Sequence, residues 1–152
     1  MTTTSFDAAE IELFRDNVRK FLEKEVAPFY DRWEKDEIFP RSLWSNLGEN
    51  GFLCVDVPEE YGGSGAPFRM SAVIIEEISR MGFGALASNV SVHSDIVGPY
   101  ILHLGNEAQK QAWLPKMVSG EAVGAIAMTE PGAGSDLQGM KMRAVVEGDH
   151  YA

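Results

Sequence analysis

A chain of 152 residues, 45% hydrophobic and 24% charged, suffices for one globular domain with a sizeable core, or for one domain and part of another. Its formal net charge of −10, from 23 acidic and 13 basic residues with no basic block, disfavours nucleic acid and anionic membranes as partners, since both need a local excess of positive charge. The single cysteine, Cys54, excludes an intrachain disulfide framework, and with no leader pattern and no transmembrane run of about 18 apolar residues the expectation is a soluble protein of a reducing compartment, the cytoplasm.

Residues 2–6 read as a polar tail. Asp7 stands three residues before Glu10, the spacing of an N-cap whose N3 acid reaches back to it, and Phe6 is placed to staple the entry. Ile11, Phe14, Val18, Phe21, Leu22 and Val26 recur at helical spacing and predict an amphipathic helix with a charged outer face. Pro28 is expected to kink or end it, and Phe29, Trp33 and the DRWEKDE run allow a further helical stretch. Pro40 is placed as the first residue of a helix over residues 41–50 that turns Leu43, Trp44 and Leu47 inward and stops at Gly51. In the apolar run 52–57, Cys54 has no histidine beside it and reads as a packed thiol. The following PEEYGGSGAP predicts a connector; it lacks the lysine and the spacing of a phosphate-binding P-loop.

Pro67 opens another helical pattern, carried by Met70, Val73, Ile74, Glu77, Ile78 and Met81. Glu76 and Glu77, adjacent on a helix, face two directions and make a poor paired-carboxylate site. After the break at Gly82 and Gly84, residues 85–104 carry only Asp95 as a charge and predict a helix buried between others. Ser88, Asn89, Ser91, His93, Ser94 and Asp95 make its first half polar, either as a pocket wall or as a solvent-facing start. His93 and His103 have no cysteine or second carboxylate at ligand spacing and read as packing or surface histidines rather than metal ligands. Gly105 ends this helix, Asn106 and Gln109 repeat the capping-box spacing ahead of residues 107–117, and Pro115 is expected to finish that segment. After the Ser119-Gly120 turn the period becomes strand-like, so helices should give way to β structure near residue 120.

Residues 123–136, VGAIAMTEPGAGSD, read as a buried strand opening at Thr129 into a glycine-rich loop. Pro131 fixes one φ angle, Gly132 and Gly134 free the neighbouring backbone, and Thr129, Glu130, Ser135 and Asp136 add hydroxyls and carboxylates. That composition suits a ligand-facing loop or an ordinary strand-end turn; a dinucleotide fingerprint would need a third glycine and a βαβ setting. Residues 141–146 read as a second strand, Glu147-Gly148-Asp149 as its turn, and Tyr151 as the start of a third. Two strands do not make a stable sheet alone, so a complete helical domain followed by the opening of an incomplete one is expected.

AMTEPGAGSDLQGMK, starting at Ala127, closely resembles the signature of the acyl-CoA dehydrogenase family, and LFRDNVRKF, GFLCVDVPEEYGG and LGNEAQKQAWLPKMVSGEAVGAIAMTEP match the family in order. SVHSDIVGPYILHLG and SDLQGMK look most like its long-chain members. The resemblance implies a mainly α chain: an N-terminal helical-bundle domain, residues 1–122, then the truncated start of a middle β domain, residues 123–152, with a C-terminal four-helix domain beyond that builds a homo-oligomer. It implies FAD, removal of the pro-R α-hydrogen and a β-hydride from an acyl-CoA thioester to leave a trans-2-enoyl-CoA, and electron-transfer flavoprotein as the electron acceptor. At matching positions, Ile126, Met128 and Thr129 would line the isoalloxazine, with the Thr129 hydroxyl bonding the ring. Gly134 and Ser135 would contact the flavin or its pyrophosphate, Ser135 also bordering the thioester, and the segment 90–97, with Val90, Ser94 and Val97, would wall the acyl-chain cavity. No catalytic residue is assigned, because the family's glutamate base matches none of the carboxylates present; Glu130 and Asp136 are expected to shape the loop, and these residues alone to catalyse no dehydrogenation. The reading from another class is a non-enzymatic helical binding or assembly protein derived from such an enzyme, which would expose apolar area and carry no flavin.

Overall fold

The computed structural model describes residues 7–152, so the tail and the staple expected at Phe6 lie outside the described residues. Asp7 and Glu10 form the capping box their spacing predicts: each side chain accepts the other's backbone N–H at 2.8 Å. Helix α1, Ala8–Phe21, follows and buries Ile11, Val18 and Phe21, while Phe14 stays half-buried, edge-on to Phe52 with ring centroids 5.8 Å apart. A π-helical turn, Leu22–Val26, continues the stripe with Leu22 and Val26 buried. Pro28 has no N–H to carry the helix on, and the short α2, Tyr30–Lys35, forms separately. Pro40 caps α3, Arg41–Glu49, from outside rather than standing as its first residue, and Gly51 turns the chain away at φ 69°.

Residues 52–57, apart from the half-buried Asp56, are buried without being a strand, turning at Cys54 with φ 48°. Helix α4, Phe68–Arg80, then packs on α1 and on α5, Gly84–Ser91. A second π-helical turn, Val92–Val97, joins α5 to α6, Gly98–Leu104, so the expected single helix is one helical run widened in its middle; it is not buried between others, because Ser88 and Asn89 face solvent and Tyr100 and Leu104 stay exposed. Helix α7, Glu107–Val118, opens on the second capping box, Asn106 with Gln109, and packs on α6. Pro115 does not finish it. The proline forfeits one helical bond to Gln111, but the turn it sits in buries Leu114 and Met117 almost completely, and that burial offsets the loss.

Leu22, Leu43, Leu47, Ile74, Ile78 and Leu86 fill the main core between α1, α3, α4 and α5, while Cys54, Val57, Tyr61, Leu114 and Met117 form a smaller one beneath α7. Between α1 and α4, the buried Glu77 carboxylate accepts from Arg15 at 2.6 Å and from Arg19 at 3.1 Å. Arg15 also reaches Glu76 at 2.7 Å, so one guanidinium draws together two acids adjacent on their helix, one exposed and one buried.

Among the described residues the paired strands are those of one hairpin, β1, Val146–Glu147, with β2, His150–Tyr151, turned by Gly148 at φ 67°. Val146 faces Tyr151, Glu147 faces His150, and Val145 and Ala152 exchange backbone bonds at 2.9 Å. Two strand expectations are corrected here. Residues 123–129 are extended but unpaired and largely exposed rather than a buried strand, and the strand expected over 141–146 shrinks to its last residue. A strand is defined by its neighbour, and among the described residues neither segment has one to fill its ladder. No helix of the described residues is long and apolar enough to cross a membrane.

Candidate functional site

Gly120 closes α7 at φ 76°, where a Cβ would lie 2.2 Å from the Trp44 carbonyl oxygen; only glycine lets the chain turn this close to α3. Two bonds then hold the emerging chain to the helices: the Arg41 guanidinium donates to the Glu121 carbonyl, and Ala122 N–H to the Lys116 carbonyl at 2.9 Å. Gly124 makes the third, donating its N–H to Nδ1 of His93 at 2.9 Å. A Cβ on Gly124 would meet Val97 Cγ1 at 2.8 Å and Met117 Cε at 3.1 Å, so the emerging chain is seated directly on the π-helical turn before α6 and on α7. Beyond it, the backbone N–H groups of residues 125–129 have no partner among the described residues, and Ile126 and Met128 are 37% and 39% exposed.

The glycine loop is built on its own bonds. Glu130 and Ala133 exchange backbone hydrogen bonds at 3.0 Å in both directions across Pro131 and Gly132. The Glu130 carboxylate accepts Lys141 N–H at 2.8 Å and Met142 N–H at 3.0 Å, and these two donors hold its carboxyl below the ordinary range. Asp136 opens a 3₁₀ turn, Leu137–Gly139, its carbonyl accepting Gly139 N–H at 3.1 Å. Thr129, Gly134 and Ser135 lie exposed on the outside, and a Cβ on Gly132 or Gly134 would meet nothing within 4 Å. The loop is a clasped shelf with Gly132 and Gly134 facing open space and Ala133 turned inward.

An apolar groove of about 500 Å³ runs between α6, α7 and residues 122–125, lined by Val97, Ile101, Leu104, Trp113 and Met117. Of the three residues expected to wall an acyl cavity, Val97 lines this groove, whereas Val90 is buried in the main core and Ser94 is buried where it accepts Cys54 N–H at 3.0 Å. The structure therefore brings Val97 to the base of the 125–129 segment and turns Val90 and Ser94 into the interior.

Sequence reasoning missed the centre of this arrangement. His93 is fully buried, its ring edge-on to Trp44 at 5.4 Å, with Nε2 3.1 Å from the Met117 carbonyl and 3.6 Å from Cys54 Sγ. Cys54, read as having no histidine beside it, has one in space though 39 residues away in sequence. It remains a packed thiol, which burial pushes up to about 12. No local spacing could reveal this arrangement, because it joins a loop, a helical run and the unpaired segment at Gly124, which only packing brings together. Among the described residues no group of three metal-ligating side chains occurs.

Residues 8–121 match the family model of the acyl-CoA dehydrogenase N-terminal domain. The chain belongs to the acyl-CoA dehydrogenase family. It is 41% identical over 144 residues to the mitochondrial long-chain specific acyl-CoA dehydrogenase of Rattus norvegicus, covering 95% of this chain and 33% of that protein. It is 42% identical over 144 residues to the mitochondrial isovaleryl-CoA dehydrogenase of Bos taurus, covering 93% and 34%. The crystal structure of an acyl-CoA dehydrogenase from Geobacillus kaustophilus superposes with a TM-score of 0.90 at 52% identity, over 99% of this chain and 39% of that one. A Bacillus anthracis acyl-CoA dehydrogenase complexed with FAD gives 0.82 at 38% identity, over 93% and 24%. The chain spans about a third of the length of these curated relatives. Its fold is the helical bundle that opens acyl-CoA dehydrogenases, followed by a small beginning of β structure.

These relatives also overturn the cytoplasmic location expected from composition, since both curated proteins are mitochondrial. A single cysteine excludes an intrachain disulfide framework, but neither it nor an acidic composition separates one compartment from another. The unpaired N–H groups, the Thr129 and Ser135 hydroxyls and the open glycine shelf fit FAD, whose ring edge and pyrophosphate present hydrogen-bond acceptors.

Proposed function

We propose that these residues are the front of an FAD-dependent acyl-CoA dehydrogenase that converts an acyl-CoA thioester to a trans-2-enoyl-CoA. Residues 1–122 would be its helical domain and 123–152 the start of its middle β domain. The observation that carries the reading is the run of backbone donors over residues 125–129 that have no partner among the described residues, exposed beside the Thr129 and Ser135 hydroxyls and an open glycine loop. When bound, FAD supplies the acceptor for the β-hydride. Thr129 donates its hydroxyl to the ring edge, Ile126 and Met128 give the ring apolar cover, and Gly134 and Ser135 offer main chain and hydroxyl to the pyrophosphate and the thioester. Val97 and the apolar groove receive the acyl chain, and Val90 and Ser94 support that wall from the interior.

Glu130 is not the base that removes the α-proton. Both of its oxygens already accept backbone N–H groups, and its depressed carboxyl is a poor proton acceptor. The base belongs to a glutamate farther along a longer chain, so these residues alone turn over no acyl-CoA. The longer protein would pass its electrons to electron-transfer flavoprotein and assemble as a homo-oligomer. Thr129→Ala in the flavoprotein carrying these residues is expected to weaken FAD binding or shift the flavin potential while leaving the melting of the helical domain unchanged. Wild-type FAD affinity and potential in that variant would refute the placement.

The exposed Tyr100, Leu104 and Trp113 around the groove favour a second reading, a helical binding or assembly protein without catalysis. Purification from its own cells without FAD would support it against the first.

A further inference from the structure

His93 joins α7 to Gly124, the residue before the 125–129 segment, through hydrogen bonds at its two ring nitrogens. A backbone N–H can only donate, so the Gly124 contact at 2.9 Å requires a lone pair on Nδ1. The proton then sits on Nε2, where it donates to the Met117 carbonyl at 3.1 Å, with Cys54 Sγ alongside at 3.6 Å. Trp44 packs edge-on against the ring, and Val97, four residues along the same π-helical turn, packs on the same glycine. After Gly124 the chain makes no further backbone hydrogen bond among the described residues until Glu130. At ~3.4 Å per residue an extended segment carries Thr129 roughly 17 Å from that last anchor, so a small tilt at Gly124 becomes a large displacement at the far end.

We propose that His93 is a positioning residue: held as the neutral Nε2–H tautomer, it seats Gly124 and thereby sets where the backbone donors of residues 125–129 and the Thr129 hydroxyl meet the flavin. The inference rests on the flavin reading above and adds to it the device that aligns the 125–129 segment. His93 is fully buried, so its effect passes through Gly124, a residue that has no side chain to be held by.

The test uses the flavoprotein that carries these residues, with His93→Asn, His93→Gln and His93→Leu. The asparagine amide places an acceptor near the Nδ1 position, glutamine reaches the Nε2 position instead, and leucine keeps only bulk. Imidazole nitrogen shifts in the wild type should show the proton on Nε2. Amide exchange at Gly124 should stay near wild type in His93→Asn and rise about tenfold or more in the Gln and Leu variants, the size of one lost hydrogen bond. FAD affinity or potential should change in Gln and Leu and be rescued in Asn. A proton on Nδ1, unchanged Gly124 exchange in the Gln and Leu variants, or a freed Gly124 with wild-type FAD affinity and potential would each overturn the proposal. If the leucine variant does not fold, the Asn and Gln pair decides the same question. A wild-type protein that holds no FAD overturns the flavin reading itself, and this one with it, before any substitution is made.

Discussion

Two buried ionisable residues show how position overrides residue type. Burial pushes His93 below its ordinary 6.5, against the opposing pull of the Met117 carbonyl and of Asp95. An unfolded chain takes up that proton near pH 6.5 and the folded one only at lower pH, so between the two the unfolded state binds more protons. Stability should therefore be level in this respect above pH 6.5 and fall as pH drops below it. Denaturant unfolding from about pH 5 to 8 should show this decline in the wild type and lose it in His93→Asn, whereas parallel curves would contradict it. At Glu77, burial would raise the carboxyl, but the hydrogen bonds from Arg15 and Arg19 outweigh it and hold it low. Its neighbour Glu76, half-exposed, shares only Arg15. Glu77→Gln should accordingly cost about 1.5–3 kcal/mol, as for hydrogen bonds to charged groups, and Glu76→Gln less than about 1 kcal/mol. Equal unfolding free energies for the two variants would show that the burial of Glu77 does not matter.

Helix ends and helix contacts obey different rules, and only the first are local. The capping boxes at Asp7 and Asn106 involve residues three apart, and both form as their spacing predicts. Pro115 looked equally decisive, yet α7 passes through it because the buried Leu114 and Met117 lie on either side. Gly48 in α3 makes the same point in reverse. Alanine is ordinarily better than glycine inside a helix by roughly 0.5–1 kcal/mol. Here a Cβ would lie 2.4 Å from the carbonyl carbon and oxygen of Ser119, where α7 ends against α3. Gly48→Ala should therefore destabilise the protein, by about 1 kcal/mol or more despite its propensity gain, and lower its melting temperature. A higher melting temperature would mean that the two helices part without cost.

For the whole molecule, the decisive feature is where the bonded structure stops. Gly124 is held and residues 125–129 are not, so in the 152-residue chain their amides should exchange with little protection while Gly124 exchanges slowly. In a longer chain with FAD bound, the same amides should become protected; slow exchange in the 152-residue chain would show that they already have partners. The sequence by itself determined what depends on near neighbours: the capped, amphipathic helices, the turn at Ser119-Gly120, and the loop string that marks the family. It could not tell that Cys54 meets His93, that Arg15 gathers Glu76 and Glu77, that Val97 faces the groove while Val90 and Ser94 turn inward, or that the apolar run after residue 122 stays unpaired. Those facts belong to the tertiary structure alone. A contact between residues tens of positions apart is set by how helices pack and by the phase shift a π-helical turn introduces, and a strand exists only when another strand supplies its hydrogen bonds.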